Sequence, residues 1–176
     1  MEPSELERFE AMMLPHLSAA HGLARYMTRN EADADDLVQE AFLRALKYFD
    51  SFRGEEGRQS RAWVLAIVRN VAHTWRDRQR ANDSITEFDE TVHSEANAAE
   101  NPGVLLARQD IRETLVEALN GLPTDLREVI VLREVEGLSY KEMSEVVEVP
   151  VGTIMSRLAR ARKRLQEALT VSDREA

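Results

Sequence analysis

The stretch from Ser139 to Ile154, "SYKEMSEVVEVPVGTI", constrains the fold of this chain more than any other. Ser139 followed by Glu142 forms a capping box, in which hydroxyl and carboxylate each bond the other's backbone N–H and fix a helix start. That helix is short, ending at about Val147. "EVP" then makes a tight turn, and Pro150 fits the first position of a second helix. A short helix, a turn of about three to four residues and a second helix is the spacing of a helix-turn-helix. Such a unit cannot bury its own apolar faces, so neighbouring segments must supply helices for it to pack on.

The second of these helices segregates its side chains. Ile154, Leu158, Ala161 and Leu165 stack on one face and are expected to dock on other helices. Thr153, Ser156, Arg157, Arg160 and Arg164 fall on the opposite side. Between Val149 and Leu165 there are five basic residues (Arg157, Arg160, Arg162, Lys163, Arg164) and no acid, in a chain of net charge −9. Hydroxyls at the N-terminal end of a cationic helix suit a major groove, and arginines further along suit phosphates. A structural helix with a solvated basic face is the alternative, and the turn before it favours DNA binding.

Upstream, "NPGVLLARQDIRETLVEALNGL" opens on Asn-Pro, a good helix start, and carries Ile111, Leu115 and Leu119 at four-residue spacing. Thr124, after Pro123, is placed to cap a helix through "DLREVIVLREVE", which Gly137 ends. Before all this, residues 82–103 hold six acids, no base and few large apolar side chains. That composition cannot bury enough surface to offset its ordering entropy, so a flexible linker is expected; a long surface loop of one domain is the alternative. Residues 1–81 carry 12 basic and 13 acidic side chains and residues 104–176 carry 11 and 13, so the linker supplies most of the negative charge. The expected architecture is all-α: two small helical domains, 1–81 and 104–176, joined by a flexible acidic linker over 82–103.

The first domain reads as four helices. Leu6, Phe9 and Met13 begin an apolar stripe, and Pro15 starts or kinks a second helix that runs to about Thr28. A third spans roughly 31–49, with Val38, Ala41, Phe42, Ala45 and Phe49 on one face. Asp36, Glu40 and Lys47 lie almost opposite, flanked by Gln39 and Leu43. After the loop "SFRGEEGRQS", the fourth helix places Val64, Ile67, Val68, Val71 and Trp75 on one face. Arg69, His73, Arg76 and Arg80 form a second stripe. A basic stripe beside two tryptophans suits a phosphate backbone with an unstacked base, although an ordinary amphipathic helix shares the pattern.

Several chemistries are excluded or unsupported. The chain has no cysteine, so disulfides, thiolate catalysis and cysteine-based zinc sites are ruled out. The four histidines (His16, His21, His73, His93) show no metal-ligand spacing, and no glycine-rich phosphate loop or nucleophile motif occurs. No enzyme, cofactor, metal or small-molecule substrate is therefore expected. No apolar run approaches the roughly 20 residues of a membrane span, and "MEPSELERFE" lacks a secretion leader's basic-then-apolar pattern.

Taken in order, the segments resemble the extracytoplasmic-function (ECF) sigma factors of bacterial RNA polymerase, of the RpoE-like kind. "ADDLVQEAFLRALKYFDSFRG" resembles the family's core-polymerase-binding helix and the start of its −10 loop. "RAWVLAIVRNVAHTWRD" resembles its −10 recognition and melting helix, and "LPTDLREVIVLREVEGLSYKEMSEVVEVPVGTIMSRLARARKRL" its −35-binding domain. The resemblance implies that Asp36, Gln39, Glu40, Leu43 and Lys47 contact the β′ clamp helices of core polymerase. It implies −10 contacts from Arg69, Asn70, His73, Trp75, Arg76 and Arg80, with Trp63 in the core. Contacts to the −35 element fall to Thr153, Met155, Ser156, Arg157, Arg160 and Arg164. The sequence departs from the family pattern at Met155, where Lys or Arg is frequent, and at Ala159, where a larger residue is common.

The same resemblance implies promoter DNA and core polymerase (β′ clamp helices and β flap) as partners. It implies a linker passing through the RNA-exit path and an anti-sigma factor as regulator. A cytoplasmic protein, held at the inner membrane where that regulator is membrane-bound, is the expected location. Two other readings fit part of the chain. A free-standing helix-turn-helix regulator accounts for residues 124–165 but leaves the first helices without a role. A sigma mimic that binds an anti-sigma partner but no DNA leaves the basic faces unexplained.

Overall fold

The computed structural model of the chain describes residues 3–83 and 102–175, and these are helical nearly throughout. The first four helices are α1 (Pro3–Met13), α2 (Leu17–Thr28), α3 (Glu31–Lys47) and α4 (Arg58–Asp83). Pro15 sits in a single 3-10 turn, Leu14–His16, between α1 and α2. Arg29 closes α2 in the left-handed region at φ 59°, and extended Asn30 caps α3 by accepting from the Asp33 N–H at 3.0 Å. Alanines on α2 and α3 (Ala20, Ala24, Ala34, Ala41, Ala45) are buried, which lets these helices approach closely around Leu23, Leu37, Leu65 and Val68. Aromatic rings close one end: Phe9 meets Phe49 edge-on at 5.3 Å, and Phe52 lies 5.0 Å from half-buried Trp63.

The second set is α5 (Pro102–Asn120), α6 (Thr124–Ile130), α7 (Tyr140–Val147) and α8 (Val151–Glu175). The capping box forms as expected, with the Glu142 N–H donating to Ser139 Oγ and the Ser139 N–H to Glu142 Oε2. Several details differ from the sequence reading. Pro123, not Thr124, is the N-cap of α6, and no side chain caps it. The helix does not continue regularly to Gly137 but widens into a π-helical turn over Val131–Val135 before Gly137 turns the chain at φ 66°. Pro150 stands just before α8, its carbonyl accepting from the Thr153 and Ile154 N–H groups. Of the expected α5 stripe, Leu119 is buried, whereas Ile111 and Leu115 are exposed.

α4 runs through Asp83 and α5 starts at Pro102, so both ends of the expected linker are helical and its interior, 84–101, lies outside the described residues. The two helical sets are not merely tethered. α7 packs along α4, α6 packs on α2, and the buried side chains of both sets form one continuous cluster. Gly22 on α2 permits a close approach there, since a Cβ at that position would lie 2.7 Å from Glu136 Oε1.

Arg127 anchors this junction from inside. The residue is only 2% exposed, and its guanidinium donates to the backbone carbonyls of Leu119 (2.9 Å), Asn120 (2.9 Å) and Leu122 (2.8 Å). These acceptors lie at the end of α5 and in the turn after it, where carbonyls lack a full set of intrahelical donors. A longer bond, 3.4 Å, reaches the Tyr26 carbonyl in α2. Burial, with Arg29 and Arg76 nearby, lowers its pKa to about 10, so it remains a cation at neutral pH. Lysine carries the charge but not the planar fork that reaches several carbonyls at once. Arg127→Lys is therefore expected to destabilise the protein by about 2 kcal/mol, measured as a lowered urea midpoint at unchanged m-value.

Candidate functional site

The surface of α3 offers one open polar face. Asp36, Gln39, Leu43 and Lys47 are exposed, Leu43 at 67%, and Glu40 is half-buried with its carboxylate on Arg44 one turn later. Lys47 Nζ lies over the Tyr48 ring at 5.3 Å. The structure thus brings together on one accessible face the residues expected to share it, with Ala34, Leu37, Val38, Ala41 and Ala45 buried behind them.

The cationic stripe of α4 is a different case. Asn70 and Arg80 are exposed, Trp75 is half-buried against the core, and Arg76 is half-buried. Burial, Arg80 and Arg29 lower the Arg76 pKa against the opposing pull of Asp77 and Glu128. Arg69 and His73 point instead into the seam between the two helical sets. Arg69 donates from Nε and Nη2 to Glu128 Oε2 and Oε1, both at 3.0 Å, and His73 Nε2 lies 2.8 Å from Oε2. On α8, Met155, Ser156, Arg160 and Arg164 are exposed, but Thr153 and Arg157 are half-buried. Arg157 was expected to face away from the core; its Nη1 turns toward Glu128 Oε1 at 3.9 Å. Ser156 Oγ donates to the Thr153 carbonyl within the helix at 3.1 Å, and Arg164 lines a cleft with Thr114, Glu117 and Leu122.

Glu128 therefore collects cations from two segments expected to work separately. It has no solvent exposure. Burial pushes its carboxyl pKa up, yet hydrogen bonds from His73 and Arg69, with their charges, bring the balance below the ordinary 4.5. A second seam contact uses Arg61 of α4. Its Nη1 donates to the Glu136 carbonyl at 3.2 Å, and its Nη2 lies 3.6 Å from Glu142 Oε1. That oxygen is buried and has no hydrogen-bond partner among the described residues. Arg29 Nη2 adds a bond to the Asn120 carbonyl at 2.6 Å.

Sequence reading missed Glu128, Arg61 and Arg29. For Glu128 a signal existed: with Val131 and Leu132 it occupies one helical face, and both of those are fully buried. His21 was read as outside any ligand-type cluster, yet folding sets it against α3, 2.7 Å from Asp35 and 3.6 Å from Glu31. Arg25 already pairs with Glu31 at 2.9 Å, so the group closes as an ion-pair network.

Comparison with known proteins places both halves. Residues 12–82 match the family model for sigma-70 region 2, and residues 112–165 match that for sigma-70 region 4. The RNA polymerase sigma-H factor of Pseudomonas aeruginosa is 33% identical over 96% of this chain and 89% of its own length. The ECF RNA polymerase sigma-E factor of Escherichia coli is 35% identical over 80% of this chain and 75% of its own. Among solved structures, the Bartonella quintana sigma factor RpoE, in complex with the anti-sigma factor NepR, matches with a TM-score of 0.75. It is 28% identical and covers 94% of this chain and 98% of its own. CnrH, in complex with the cytosolic domain of CnrY, matches with a TM-score of 0.66 at 26% identity, over 94% and 90% of the two chains. The chain belongs to the ECF sigma factors, transcription initiation factors of bacterial RNA polymerase.

The Glu128 contacts carry a pH signature. The folded protein holds this carboxyl below 4.5, so it binds fewer protons there than the unfolded chain does. The stabilisation is complete above the unfolded value and is lost as pH falls through the lower folded value. Thermal midpoints should fall steeply below about pH 4.5, and Glu128→Gln should lower the neutral-pH midpoint while flattening that acid slope.

Proposed function

We propose that this chain is an alternative sigma factor that docks on core RNA polymerase through the exposed face of α3 and selects promoters with α4 and α8. In this reading residues 1–81 bind polymerase and recognise and melt the −10 element. Residues 82–103 link the halves, and residues 104–176 bind the −35 element. The observation that carries it is the α3 surface: Asp36, Gln39, Leu43 and Lys47 form an accessible mixed polar and apolar strip backed by a packed core. At one end of the strip the carboxylates of Asp36 and Glu40 suit a basic helix such as those of the β′ clamp, and a β flap contact would hold the second half.

Each DNA face is assigned by chemistry. On α4, Asn70 is exposed beside Arg76 and Arg80, which suits one base contact flanked by phosphates; Trp75, His73 and Arg69 complete the set. On α8, Met155 and Ser156 lie near the N-terminal end with Thr153, and Arg157, Arg160 and Arg164 follow toward phosphates. Exposed Met155 offers apolar contact, where a cation would donate hydrogen bonds, so the −35 preference is expected to differ from that of relatives carrying Lys or Arg. Flipping a −10 base costs a few kcal/mol and needs a pocket, not a catalytic group, so no side chain is given a catalytic role.

The similar Bartonella quintana sigma factor RpoE was captured with the anti-sigma factor NepR, which supports an anti-sigma factor as this chain's regulator. No helix among the described residues is long and apolar enough to cross a membrane. Cytoplasmic action, with any membrane attachment supplied by that regulator, fits this. A free-standing DNA-binding regulator would give the α3 strip no use.

Fluorescence anisotropy of the end-labelled protein against core RNA polymerase tests the reading. The wild type should bind tightly, and Asp36→Arg/Glu40→Arg should weaken binding by about 100-fold or more, since like charges set against a basic partner cost several kcal/mol. A folded wild type that ignores polymerase but binds duplex DNA would overturn it in favour of the free-standing regulator.

A further inference from the structure

We propose that Glu128 acts as an internal stand-in for DNA phosphate. By holding Arg69, His73 and Arg157, it keeps the free protein closed toward promoter DNA while leaving it open toward polymerase. This rests on the assignment of α4 and α8 as DNA faces. The geometry is that of a phosphate site: the Arg69 fork makes two parallel bonds at 3.0 Å to one carboxylate, the arrangement arginine also adopts on phosphate. His73 and Arg157 approach the same two oxygens at 2.8 and 3.9 Å. With Glu128 fully buried, these side chains retain only 16%, 36% and 20% of their accessible surface.

The closure takes one residue from the second half and sets it against both DNA faces at once. DNA phosphate cannot take the Arg69 fork or His73 Nε2 without displacing Glu128, and a displaced Glu128 would leave a carboxylate looking for a cation. The seam is held at two further points. Arg61 reaches the Glu136 carbonyl and Glu142, and Glu136 fills the space left open by Gly22. Nothing in this arrangement covers Asp36, Gln39, Leu43 or Lys47, which stay exposed on α3. The order of events follows: polymerase binds first, through the open face, and opening of the seam then releases Arg69 and His73 to DNA, leaving Glu128 to Arg157 alone. A sigma factor built so would waste little time on DNA away from polymerase.

The test uses the full chain, which lacks native cysteine, so E10C and E167C can be labelled cleanly with a donor–acceptor dye pair at two exposed positions. Two variants open the seam by different means. Glu128→Gln removes the charge but keeps polar atoms, and Gly22→Leu wedges the seam without touching any cation. Glu145→Gln, at an exposed site, controls for the change in net charge. Energy transfer should fall in both seam variants and not in the control. Affinity for a random-sequence DNA duplex, without polymerase, should rise about five-fold or more, as expected when no more than about one wild-type molecule in five is open.

Core polymerase affinity should stay within about two-fold of wild type or improve slightly, because the α3 face is already free. Unchanged transfer and unchanged duplex affinity in folded variants would overturn the proposal. If Glu128→Gln fails to fold, Gly22→Leu decides alone. Lower transfer with no gain in duplex binding would also overturn the stand-in role. Retained polymerase binding in that case would place the failure in the DNA faces and not in the α3 reading.

Discussion

A carboxylate with no access to water must be neutralised by its surroundings, and Glu128 is neutralised by cations from both ends of the fold. Taking a charge out of water costs several kcal/mol, repaid only by close, well-directed partners; removing one partner of such a pair typically destabilises by about 3–5 kcal/mol. Here the partners are Arg69 and His73 on α4, before the linker, and Arg157 on α8, after it. The carboxylate itself stands on α6, one residue from Arg127, whose guanidinium fastens the end of α5. Adjacent residues of α6 thus hold the second half together from within and hold it against the first.

That arrangement separates the surfaces by function. The α3 strip depends only on the packing of α2, α3 and α4 and is available whatever the second half does. The cations of α4 and α8 are available only in part; Arg69 and His73 come free when α6 and α7 move away from α4, whereas Arg157 stays in the same half as Glu128. A chain with net charge −9 can therefore carry concentrated basic surfaces without binding nucleic acid indiscriminately, because the cations nearest the seam already have an anion. Acidity elsewhere adds general repulsion, but screening limits its reach to about 8–10 Å. The local carboxylate is the stronger device.

Much of the fold was legible because its signals are local. The Ser139–Glu142 capping box, the turn before Pro150 and the α8 stripe of Ile154, Leu158 and Ala161 each depend on residues within two turns of one another. The exposed strip on α3 was legible for the same reason, since a regular helix fixes which side chains share a face. The docking of the two helical sets was not. It depends on Arg29 meeting the end of α5, and on Arg61 and Gly22 meeting Glu136 and α7, across long sequence separations, and no period in the sequence encodes that meeting. The widening of α6 over Val131–Val135 was also hidden, because a run of Val, Ile and Leu reads equally well as regular helix. Arg157 is not opposite Ile154: three residues on, it lies at the edge of the same side of α8, which is why it is half-buried and faces Glu128.

Small-angle X-ray scattering of the free protein at low ionic strength tests the central claim, that the two halves close on one another without a partner, most directly. A closed chain of this length should give a radius of gyration near the ~16 Å of a compact single body, with a bell-shaped Kratky plot. A clearly larger radius with a raised high-angle plateau, the mark of two bodies tumbling on a tether, would contradict it.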